Sequence, residues 1–220
     1  MKLLAIEISR LTALFSVTRL QGQAYLPMVA AALVERYAFA APPASFSDLM
    51  ADKVEFNHGL FAGSAIDKLE VYNDGMIVSS RSNTDLLDGF LHDLMSWLSS
   101  EFGISVVPTR KNDRIHESQL VVSVDESIMK PLSSLNQISR LISSLLQENY
   151  GIDNQLHALG YALSVDPMGN AEIRPSAFRI ERRLAAEFSL SQFYSIAPLR
   201  TDHHLEILGK IELMFKEPMA

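Results

Sequence analysis

The residues best suited to chemistry are the arginines near the C-terminal third. Arg174, Arg179, Arg182 and Arg183 fall within ten positions, and Arg200 follows. A guanidinium offers a fixed fork of N–H donors that fits a carboxylate or phosphate, so arginines that converge read as an anion site. Arg179 and Arg183 share strand parity, and a helix expected from Thr201 would present free N–H groups beside them. The candidate anion-binding set is therefore Arg179, Arg183, Arg200 and His203. Arg182 projects to the other face, and Glu172, Glu181 and Glu187 are interleaved, so cross-strand ion pairs are the competing reading. Phe178, Phe188, Phe193 and Tyr194 would suit base stacking, and equally a sheet core.

The histidines point to other chemistry. His58 alternates with Val54 and Phe56 on the apolar face of an expected strand. There it is either a core histidine with one hydrogen bond or, facing a cleft, a general base. His203 and His204 are adjacent, flanked by Asp202 and Glu206. Neighbours on a helix diverge by about 100°, so the pair cannot share one ion as residues four apart can. No metal site is expected. Asp85 with Asp88, and Asp125 with Glu126, stand where helix starts already explain acidic residues. The polar run 108–114 is the clearest loop, and Arg110 and Arg114 are its candidate ligand contacts. No phosphate-binding glycine loop, dinucleotide fingerprint or G-x-S-x-G elbow occurs, so neither cofactor nor serine nucleophile is expected.

Composition narrows the classes further. With 48% hydrophobic and 20% charged residues in a chain of 220, the sequence reads as an ordinary soluble globular protein. The net charge of −7 disfavours nucleic acid and anionic membranes as partners. Having no cysteine, the chain lacks disulfides and thiolate catalysis, which fits a reducing compartment such as the cytoplasm. Met1 to Ile6 imitates a signal peptide until Glu7 and Arg10 interrupt it. No apolar run approaches the roughly 20 residues that span a bilayer, so no membrane association is expected.

The elements that must position these residues are organised around 53–103. Strand periodicity, an Asp74-Gly75 hairpin signal and a helix from Thr84, with Leu87, Leu91, Leu94 and Leu98 at helical spacing, imply sheet packed on helix. Leu4, Ile6 and Ile8 alternate as an earlier strand. Pro27 suits the first turn of a helix through Tyr37, with Val29, Leu33 and Tyr37 on one face, and Ser45 or Ser47 caps a short helix. Pro131 opens another helix carrying Leu135, Ile138, Leu141, Ile142, Leu145 and Leu146, closed by Gly151. Strands follow through Ile196, then a last helix with Leu205, Ile207, Leu208, Ile211 and Met214.

The order predicts an α+β fold, a mixed and largely antiparallel sheet packed against three or four amphipathic helices. Residues 1–107 and 118–220 form two α/β parts joined by the loop 108–117 and sharing one core. Strong core patterning without a catalytic constellation points to a non-enzymatic interaction or structural protein, acting through protein–protein contacts and as a candidate homo-oligomer. The alternative is an anion-, phosphate- or nucleic-acid-binding module or enzyme using the arginine strands 174–183 and the N-terminus of helix 201–216.

Overall fold

A computed structural model describes residues 1–15, 20–21, 25–106, 114–166, 168 and 174–216. The fold is α+β, with antiparallel strands and amphipathic helices. It divides into two compact units: a larger one of Ile6–Ser118 with Pro198–Thr201, and a smaller one of Met1–Ala5, Gln119–Ala197 and Asp202–Ala220.

In the larger unit the strands lie in the order β3 (Lys53–Phe61), β4 (Ser64–Tyr72), β5 (Gly75–Ser80) and β1 (Lys2–Leu14), each pair antiparallel. A short ladder pairs β2 (Leu20–Gln21) with β6 (Ser105–Val106). The helices are α1 (Leu26–Tyr37), α2 (Phe46–Leu49) and α3 (Thr84–Phe102). The long helix forms as its spacing predicts. Asn83 accepts the N–H of Leu86 at 3.1 Å, Gly103 ends it at φ 63°, and Leu87, Phe90, Leu91, Leu94 and Leu98 are buried. They pack with Val29, Leu33 and Tyr37 of α1 and with Phe56, Ile66, Leu69 and Val78 of the sheet. Ser45 caps α2 in a capping box with Asp48.

Three local readings change in this unit. The strand β1 buries Ser9, Leu11 and Ala13, whereas Leu4, Ile6 and Ile8 are at least partly exposed. The hairpin at Asp74-Gly75 exists, but Tyr72 faces Gly75, the turn residues are Asn73 and Asp74, and neither has positive φ. Gly75 is required for another reason: a Cβ there would meet the Ala13 carbonyl oxygen at 2.5 Å. The turn with two positive φ values, as type I′ demands, is Ala62-Gly63, at 48° and 77°.

In the smaller unit, β10 (Gln192–Ala197), β9 (Phe178–Arg182) and β8 (Gly160–Leu163) pair antiparallel, with β7 (Arg114–Ser123) on the far side of β10. Leu120, Val122, Ile180 and Phe193 are buried here with Leu208 of α5 (Thr201–Lys216). Residues Glu126–Leu135, with Pro131 inside, form a 3₁₀ helix, and α4 (Asn136–Tyr150) starts only after it. The helix expected from Pro131 is thus shorter. Gly151, at φ 68°, closes it.

Candidate functional site

The candidate anion residues are engaged separately. Arg179 is exposed on β9, opposite Ile196 and Ala162. Arg183 follows the strand and donates from Nη1 to Gln192 Oε1 at 3.3 Å. His203 is exposed, its Nε2 3.9 Å from Asp202. Arg200, in the larger unit, donates to Asp88 at 2.7 Å and pairs with Asp85. Its charge is already matched by two carboxylates.

Asp88 is in fact a hub. Besides Arg200 it takes Arg114 Nη1 at 3.2 Å and His116 Nε2 at 3.0 Å. The acidic first turn of α3 therefore does more than answer the helix dipole. Beside it, the Thr84 N–H donates to Thr201 Oγ1 at 3.1 Å and the Thr201 N–H donates to Thr84 Oγ1 at 3.0 Å. Each threonine satisfies a backbone donor left free at the other's helix start. Arg114 is thus the first residue of β7 and an ion-pair partner, while Arg110 lies outside the described residues. This cluster ties the elements together, setting Arg114 and Arg200 against Asp85 and Asp88.

His58 is corrected by the structure. Its φ is 59°, and its side chain is exposed. Strand parity reverses there: Phe56 and Gly59 are buried while Leu60 is 55% exposed. The ring of Phe39 sits where a Cβ of Gly59 would be, 2.5 Å away. His58 is turned outward because that ring fills the inner face. The buried histidine is His204, whose spacing offered no such signal. Its Nε2 lies 2.9 Å from Ser195 Oγ, and that hydroxyl donates to the Arg179 carbonyl at 2.8 Å. With the serine proton spent, His204 must donate from Nε2, which fixes a proton on that nitrogen. The inward face of α5 runs through His204, Leu208 and Glu212, whereas Ile207 and Met214 are exposed.

Arg182, expected to project to the face opposite Arg179 and Arg183, is more enclosed than Arg179 on β9. It pairs with Glu126 and lies over Phe188 and Phe193, 4.9 and 5.7 Å from the ring centroids. Burial lowers its affinity for the proton. A mainly polar cleft of about 230 Å³ adjoins it, lined by Glu126, Lys130, Ser133, Asn136 and His157 among others.

The largest departure from expectation is α4. Its apolar stripe was to be a core face, yet none of its residues is buried. Ile138 is 53%, Leu141 62% and Leu145 54% exposed. The geometry explains which side is free. The segment after Gly151 folds back, and the Leu156 N–H donates to Ser143 Oγ at 2.9 Å. That covers the flank holding Ser139, Ser143 and Leu146, which are half-buried. Ile138, Leu141, Ile142 and Leu145, at i, i+3, i+4 and i+7, face the other way, and nearby Tyr150, Ile152 and Leu159 are exposed as well.

No protein-family model matches the chain, and no curated protein aligns with it significantly. Among the described residues, no three His, Asp or Glu side chains are grouped to hold a metal ion, and no helix is long and apolar enough to cross a membrane.

Proposed function

We propose that the protein is a non-enzymatic interaction protein whose working surface is the exposed apolar stripe of α4. One observation carries this reading: a helix of about four turns keeps Ile138, Leu141, Ile142 and Leu145 in water. Contiguous apolar surface of this kind marks a contact site, because water at such a patch is released when a partner covers it. Of the candidate anion residues, Arg200 is held by Asp85 and Asp88, which favours contact over anion capture as the surface's use.

The partner that fits is a second copy of the same chain. The stripe is free of charge, and the only charged side chains on α4 are Arg140 and Glu148, which sum to zero. Two copies of the helix therefore meet without local repulsion. A twofold pairing sets the same stripe against itself, the self-complementary arrangement a homodimer requires. The absence of cysteine suits work in a reducing cytoplasm.

Analytical ultracentrifugation over a dilution series tests the reading. The wild type is expected as a reversible dimer. Leu141→Glu combined with Leu145→Glu gives a monomer with an unchanged circular-dichroism spectrum, since exposed substitutions move stability by only about 0.5 kcal/mol. A wild type that stays monomeric at every concentration overturns self-association.

A further inference from the structure

The larger unit contains a cavity of about 170 Å³ between α1, α3 and the sheet. Its floor is Phe56, Leu69 and Leu94, which water hardly reaches. Its walls are Val29, Ala30, Leu33, Met76 and Leu98, each slightly accessible, and its rim includes Leu26, 45% exposed. Among the described residues, this graded exposure describes a shaft open to solvent at one end.

Water gains little in such a shaft. The lining is almost entirely carbon and sulfur, with Tyr72 the one side chain bearing a hydroxyl, and a buried water needs two to four polar partners, roughly. Left empty, the walls lose dispersion contacts on their inner side. A guest without donors or acceptors restores those contacts at no cost in lost hydrogen bonds. Apolar cavities of about 150 Å³ lined by Leu, Ile and Phe admit a benzene-sized molecule.

From this shape and lining we infer that the cavity is a binding site for a neutral apolar group, an aryl ring or the end of an alkyl chain. Its walls come from three separate elements, so a bound guest also ties α1 to α3 and the sheet. No residue of α4 lines the cavity, so a failure of the proposed self-association leaves this inference standing.

Methyl NMR on the full chain, titrated separately with benzene and with 1-hexanol, tests the site and distinguishes the two guest types. Saturable shifts confined to Val29, Leu33, Leu69 and Leu98 methyls are expected for at least one probe, with a rise in melting temperature on binding. The variant Ala30→Leu, which fills the shaft, should weaken binding by about tenfold or more, equivalent to filling the guest's space. No saturable shift up to the solubility of either probe overturns the site, as does an Ala30→Leu protein that folds and binds with unchanged affinity. Should that variant fail to fold, the wild-type map decides alone: shifts spread to the exposed α4 methyls count against the cavity.

Discussion

Asp93 and Tyr37 show how much one side chain can hold in place. The Tyr37 hydroxyl donates to Asp93 Oδ2 at 2.6 Å, and the Arg36 guanidinium donates to both oxygens of the same carboxylate. Burial pushes the Tyr37 phenol well above its ordinary range, and the hydrogen bond to Asp93 adds to the shift. Burial alone would raise Asp93, but the bonds from Tyr37 and Arg36 hold it below the usual carboxylate range. Tyr37 keeps its proton in the folded protein to a higher pH than in the unfolded chain. Its contribution is therefore complete below the unfolded pKa of about 10 and is lost as pH rises beyond it. For Asp93 the sign is opposite: its contribution is present above about pH 4 and fades as pH falls through the lowered folded value. Tyr37→Phe should cost about 1 kcal/mol at neutral pH, because Asp93 is partly solvated, and should flatten the alkaline limb of a denaturation-versus-pH curve. A variant that loses stability above pH 10 as steeply as the wild type contradicts this account. In the sequence, Asp93 falls outside the apolar stripe of α3. Its role comes from a helix some 56 positions earlier in the chain, a distance that periodicity cannot bridge.

Among the elements, those that could be read from sequence are those whose partner is near in the chain. The helix α3 and the Asp74-Gly75 hairpin follow from spacing because α3 packs on strands that directly precede it in the chain. The reading fails where backbone detail intervenes. In β3 the φ of His58 is positive and parity reverses, with the ring of Phe39, nineteen positions earlier, packed where a Gly59 Cβ would stand. Gly59→Ala tests this, since its Cβ must displace Phe39 or the strand; a loss of about 1–3 kcal/mol is expected in urea denaturation, as for other overpacked cores. An unchanged midpoint would mean the ring yields freely. In α5 the failure is of phase: Ile207 looked like core and His204 like surface, and the structure has them the other way round. Hydropathy ranks isoleucine above histidine, but a histidine hydrogen-bonded to Ser195 can be buried without leaving a donor unmet. In α4 the pattern was correct and the inference from it was not. Amphipathicity announces that a face seeks cover, and says nothing of whether the cover belongs to the same chain.

At the scale of the whole molecule, charge and apolar contact make opposite demands, and salt separates them. The chain carries a net charge of −7, so two copies repel at long range, whereas the proposed pairing of α4 stripes would act at contact. The Debye length falls from about 30 Å at 0.01 M salt to about 8 Å at 0.15 M, which removes most of the repulsion. Attraction through Ile138, Leu141, Ile142 and Leu145 involves no charge and persists. Self-association measured by sedimentation should therefore hold steady or strengthen as salt rises across that range. Binding through Arg179, Arg183 and His203 would behave in the reverse manner, since each cation that meets a phosphate gives up its advantage as counterions become plentiful. The candidate site was legible in the sequence only as an apolar period between 135 and 146, because sequence alone does not say which faces fold together. An association that weakens steeply with added salt would place the working surface among the charged side chains and take it away from α4.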